Sequence, residues 1–143
     1  MTATAHEVPA WESFQLLRSA TIGRLCVIEH GYPIAVPVNY RILERDGAQI
    51  VVVRTAPHTL VARYRGLASL EVDHIDLDGG EAWSVIVRGE LHRVLGEHTL
   101  PDPQPMVEVG RHQWLTLRID AMSARKFAIE SSEDGFSVEW QFG

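Results

Sequence analysis

The chain has 143 residues and a mass of 16.0 kDa, the size of one ordinary domain. It is 45% hydrophobic and 22% charged with a mean hydropathy of -0.05, which excludes a disordered, collagen-like or membrane-embedded chain. A net charge of -6 and a pI near 5.6 leave no global positive field for nucleic acid or an anionic membrane. The opening residues MTATAHEVPAWE lack the basic and apolar regions of a signal peptide, and Cys26 is the single cysteine, so the reducing cytoplasm is the expected compartment.

Twelve of the thirteen basic residues are arginines, and the exception is Lys126. Up to Val72 there are seven basic and six acidic residues, and from Asp73 onward six basic and thirteen acidic, so the acidity belongs to the second half. No acidic residue lies between Gly47 and Leu70, where Arg54, His58, Arg63 and Arg65 fall. That stretch would welcome an anion, although a solvated basic face accounts for the same pattern equally well.

In chain order, Trp11–Ser19 follows Pro9 and sets Trp11, Phe14, Leu17 and Arg18 at helical spacing, with Leu16 widening the apolar face. The expectation is one short helix within an N-terminal segment (residues 1–20) packed on a single domain. The pattern then changes to strands at Ile22–Glu29, Pro33–Ile42 and Ile50–Arg54, separated by His30-Gly31 and Asp46-Gly47. Pro37 removes a ladder donor from the second strand, so that strand belongs at an edge, at a bulge or beside a ligand. Thr55–Thr59 leads into a short helix over Leu60–Arg65 that ends at Gly66. Leu67–Asp73 predicts a strand, Asp76–Gly80 a turn, and Trp83–Leu95 a long strand bent at Gly89. A proline-rich connection at Leu100–Pro105 precedes strands at Trp114–Ile119, Arg125–Glu130 and Phe136–Phe142. Six to eight short strands with only small helices argue for a closed or split β-barrel.

Seven scattered histidines with neither CxxC nor HExxH supply no metal set. Asp73, Asp76 and Asp78 with Gly79-Gly80 look like a calcium loop, yet Val87 stands where the bidentate glutamate belongs, so an acidic turn is expected. Cys26 in an apolar strand reads as an inert core thiol, and Ser84 lies outside any GxSxG elbow. Arg54-Thr55-Ala56-Pro57-His58-Thr59 differs, because a strand feeding a helix brings hydroxyls, backbone N–H groups and a guanidinium to one point. The plainer alternative there is that Thr55 caps the helix and Arg54 is solvated.

The runs Gly23-Arg24-Leu25, Pro37-Val38-Asn39-Tyr40, Arg54-Thr55-Ala56-Pro57, Glu71-Val72-Asp73 and Trp83-Ser84-Val85 with Gly89 resemble, in order and spacing, the pyridoxamine 5'-phosphate oxidase-like family. The similarity continues into Trp114–Arg125 and covers nearly the whole chain from Ile22 onward. It implies a mainly β fold, a six-stranded split β-barrel with short flanking helices of the FMN-binding type. It also implies a homodimer with FMN at the dimer interface. On this resemblance the backbone of Pro37, Val38, Asn39 and Tyr40 lies along the flavin ring, and Arg54, Thr55 and Thr59 hold the phosphate. Trp83 and Ser84 face the ring or ribityl chain, and Trp114 and Arg125 reach over from the partner chain; ordinary core or interface packing is the alternative for both tryptophans.

One departure stands out. The family commonly carries Gly-Ser/Thr-Lys where this chain has His58-Thr59-Leu60, so the phosphate lysine is missing. Arg63, Arg65 or a protonated His58 are the substitutes nearby. The expected function is therefore an FMN-dependent oxidoreductase acting on a small molecule. The alternative is a non-catalytic dimer binding a flavin, the deazaflavin F420 or haem. True pyridoxamine-phosphate oxidation is disfavoured, because no second phosphate-binding cluster exists.

Overall fold

In the computed structural model, which describes residues 3–57, 59–96, 98–104 and 112–129, the chain runs β1 (Ala3–Glu7), α1 (Ala10–Ser19), β2 (Ile22–Glu29), β3 (Tyr32–Arg45) and β4 (Ala48–Thr55). Then come α2 (Leu60–Arg63), β5 (Gly66–Asp76), β6 (Glu81–Arg93), β7 (Gln113–Arg118) and β8 (Ala121–Ile129). The strand expected at Phe136–Phe142 lies outside the described residues, as does His58.

The strands form one antiparallel sheet in the order β1-β8-β6-β5-β2-β3-β4-β7, and a further pairing of β6 with β7 brings the sheet back onto itself. Six strands, β6, β5, β2, β3, β4 and β7, thus make a closed ring, and β8 and β1 continue from β6 outside it. This is a six-stranded split barrel, mainly β, with two short helices.

Period-two alternation builds the interior. On β2 the buried residues are Gly23, Leu25 and Val27, while Arg24 and Ile28 face outward. Leu25, Val27, Val51, Val53, Leu70, Val85, Val87, Leu115 and Leu117 meet in one core cluster, and each such aliphatic side chain stabilises the barrel by roughly 1.5–3 kcal/mol. The Tyr40 hydroxyl donates to the Leu17 carbonyl and ties the end of α1 to β3.

Two strands change partners, and these changes create the split. β6 pairs with β5 throughout Glu81–Leu91, while its other edge meets β8 up to Arg88 and β7 from Leu91. Gly89 stands at the changeover, where an added Cβ would come within 2.0 Å of the Arg118 carbonyl oxygen. The expected bend at Gly89 is therefore a site of backbone crossing. β3 pairs with β2 through Tyr32–Asn39 and with β4 through Tyr40–Arg45. Its first half consequently has one edge with no strand partner among the described residues, and Pro37 lies there, as a residue without an N–H can.

Three local expectations are corrected. On α1 Leu17 is buried and Phe14 and Leu16 pack on the core as expected, but Ser13 is the other buried residue and Trp11 is 64% exposed. The Ser13 hydroxyl donates to the Val8 and Pro9 carbonyls, which makes a polar residue affordable inside. Residues 3–7, unassigned by their pattern, pair with Glu7↔Arg125 through Ala3↔Ile129 on β8. Cys26 faces outward, half-buried on β2, and is no core residue; partial burial raises its pKa and keeps it a thiol. Among the described residues no helix is long and apolar enough to cross a membrane.

Candidate functional site

The free edge of β3 and the ends of β4 and β7 share one side of the barrel. Arg54 and Trp114 are cross-strand partners there, and the guanidinium carbon sits 5.7 Å from the centre of the Trp114 ring. The Arg54 side chain is only 17% exposed. Its Nε is buried and has no hydrogen-bond partner among the described residues. An unsatisfied N–H on a cation is costly, so an acceptor placed there would be favoured. Next along the chain the Thr55 and Thr59 hydroxyls lie 3.0 Å apart, and Thr59 Oγ1 accepts from the Ala62 N–H to cap α2. The cap is thus Thr59 and not the expected Thr55, and Arg54 is mostly buried and not the solvated arginine of the plainer reading.

His98–Gln104, the connection after β6, crosses this corner. The His98 ring packs on Trp114 at 4.4 Å between centroids. Asp102 accepts from Arg54 Nη1 through both carboxylate oxygens, at 2.7 and 3.0 Å. The Asn39 amide donates to the Gln104 carbonyl at 2.6 Å. Asp102 also accepts the Gln104 N–H, the leading reason that its pKa is lowered, with Arg54 adding to the effect.

The sequence-derived residues divide into three groups. Asn39, Arg54, Thr55, Thr59 and Trp114 gather around the corner just described, with Pro37 exposed on the β3 edge and Val38 and Tyr40 buried beneath it. Ser84 and Arg125 are cross-strand neighbours on β6 and β8 and both are half-buried. Trp83 stands apart, 8% exposed in the core and tilted against His74, because it shares the inward parity of Val85 and Val87. Leu60, at the position of the family's lysine, packs on the core cluster. Arg65 donates to the Ala62 and Tyr64 carbonyls, and Arg63 is exposed at the end of α2.

A polar row on the outer face joins the first two groups. The registers Pro37↔Arg24, Arg24↔Glu71, Asp73↔Ser84 and Ser84↔Arg125 carry it from β3 to β8. Arg24 Nη1 lies 3.1 Å from both Glu71 and Asp73. Together with Ile22, Gly23 and Pro37 these three line a cavity of about 230 Å³. Glu71 is pushed up to about 7, first by desolvation and then by its hydrogen bond with Asp73 and that residue's charge, with Arg24 acting in the opposite sense. Glu71 and Asp73 were legible as a pair, since residues two apart on a strand share a face. Asp102 and Gln104 carried no such signal, because their partners lie 48 and 65 positions away.

The comparisons with known proteins agree with this architecture. The family model for pyridoxamine 5'-phosphate oxidase matches residues 9–126. Among solved structures, a candidate pyridoxamine 5'-phosphate oxidase of Corynebacterium glutamicum superposes with a TM-score of 0.73 at 20% identity, covering 92% of this chain and 99% of that one. The FAD-binding protein of Mycobacterium smegmatis gives 0.66 at 25% identity, covering 87% and 99%. A FAD-binding protein of Mesorhizobium loti gives 0.66 at 20%, covering 89% and 99%. No curated protein matches the sequence. With the family model spanning most of the chain, from α1 into β8, this protein belongs to the pyridoxamine 5'-phosphate oxidase family.

Proposed function

We propose that this protein is a flavin-binding homodimer that holds FMN along the free edge of β3 and acts as an FMN-dependent oxidoreductase on a small molecule. The observation that carries the reading is Arg54, a nearly buried cation with an unsatisfied Nε beside the Thr55–Thr59 hydroxyl pair. A 5'-phosphate supplies the acceptor that Arg54 Nε lacks among the described residues. Pro37 and Asn39 offer a planar ring a strand edge that has no strand partner among the described residues, and Trp114 closes the side next to Arg54. Family membership and the FAD-binding relative in M. smegmatis support a flavin over other phosphorylated ligands.

A bound flavin supplies two-electron transfer to or from a small molecule. The chain's own residues grip the phosphate, present the strand edge and exclude water. A second copy completes the site in this reading, and exposed Ile28, Tyr32 and Leu67 are the kind of apolar surface a partner covers. The cytoplasm is the proposed compartment.

An absorbance spectrum of the purified protein tests the cofactor directly. A two-band visible spectrum, restored to stripped protein by FMN, supports the reading. Restoration by F420 or haem in place of FMN sinks it. Light scattering should give about twice the 16.0 kDa chain mass, and a monomer at micromolar concentration would refute the shared site. Substrate-dependent reduction or reoxidation of the flavin separates an enzyme from a carrier.

A further inference from the structure

The anion corner already contains an anion. Asp102 takes Arg54 Nη1 through both oxygens, and the Arg54 Nε is shut away from solvent while it does so. The segment that delivers Asp102 is anchored at each step. The His98 ring lies on Trp114, the Leu100 N–H reaches His98 Nδ1 at 3.4 Å, Pro103 is buried, and the Gln104 carbonyl accepts from Asn39. It therefore spans β7, β4 and β3, the three strands whose side chains form the corner. No incoming phosphate can pair with both edges of the Arg54 guanidinium while Asp102 stays.

We propose that Asp102 is an internal anion standing in the phosphate position on Arg54, so that a phosphorylated ligand enters as His98–Gln104 leaves. The proposal rests on the reading of Arg54 as the phosphate grip. Its chemical consequence is selectivity. A phosphate monoester carries roughly -1.5 to -2 charges at neutral pH and outcompetes one carboxylate for the guanidinium. A neutral ligand gains nothing from Arg54 that offsets displacement of the segment. Asp102 thus biases the cleft toward phosphorylated ligands and keeps Arg54 paired between binding events.

Two measurements on the full chain test this. Hydrogen exchange across 98–104 should speed up when FMN or inorganic phosphate is added, because Gln104 loses its N–H contact to Asp102. Asp102→Asn, which keeps an acceptor for that N–H, should tighten FMN binding about ten-fold, the worth of one charge-assisted contact. In an Arg54→Gln background the same change should do nothing. If FMN binds while exchange at 98–104 is unchanged or slower, and Asp102→Asn leaves its affinity alone, the internal anion is refuted and the flavin reading stands. If FMN fails to bind but phosphate still opens the segment, the internal anion stands and the flavin reading falls. If FMN fails to bind and neither ligand changes the exchange, both fall.

Discussion

β6 and β3 are the two strands that change partners, and they do so with opposite consequences. β6 keeps both edges occupied, passing from β8 to β7 across Gly89, and its inward residues Val85, Val87 and Leu91 are fully buried. β3 passes from β2 to β4 after Asn39 and leaves an edge bare, with Pro37 on it and His98–Gln104 lying near it. One changeover needs a residue without a Cβ so that two backbones can touch. The other tolerates a residue without an N–H because no strand pairs with that edge among the described residues. The barrel is closed at the glycine and open at the proline, and Arg54 with its buried Nε lies on the open side.

The largest effect should come from the closed side. Gly89→Ala drives a methyl group against the Arg118 carbonyl and should cost about 3 kcal/mol, a melting-temperature drop of about 10 °C in the flavin-free protein. An unchanged melting temperature would mean that the closure is slack and the contrast with β3 is false.

Leu60→Lys asks to which side α2 belongs. Leu60 packs on the core, so the substitution should destabilise the fold by about 2 kcal/mol without tightening FMN. A stronger, salt-sensitive FMN interaction at unchanged stability would move α2 to the open side and mark the site as one that has simply lost a ligand.

Arg54→Ala should behave in the reverse manner. FMN affinity should fall by about ten-fold or more while riboflavin binding does not weaken, since the lost contact is to the phosphate. Equal losses for both ligands in isothermal titration would assign Arg54 to the fold.

The smallest effect concerns the outer row. A carboxyl at about 7 when folded, against 4.5 ordinarily, binds its proton more tightly in the folded state. Stability should therefore be full below about pH 4.5 and decline as pH rises toward 7. Glu71→Gln keeps an acceptor for Arg24 and removes the repulsion from Asp73, so it should flatten that decline. Above pH 7 it should add about 1 kcal/mol, allowing for solvent screening. Denaturant titrations at pH 5 and pH 8 measure the difference, and parallel losses in both proteins would show that Glu71 titrates normally.

Local physics made much of this molecule legible. The bounds of β2 follow from alternation alone, the His30-Gly31 and Asp46-Gly47 turns adopt positive φ where their residue types allow it, and Pro37 announced an edge, while Gly89, expected as a bend, marks a close backbone approach. These features depend on neighbours within a few positions, which is what a sequence pattern encodes. The tertiary structure decided the rest. Trp83 and Ser84 are adjacent in sequence, yet strand parity buries one and turns the other outward. The short Ala3–Glu7 run becomes a strand through β8, more than a hundred positions later. Arg54 looked free because no acidic residue stands near it in the chain, and the fold pairs it with Asp102, 48 positions away. Contacts of that range arise from which edges a closing sheet leaves unpaired, and that is a property of the whole ring of strands.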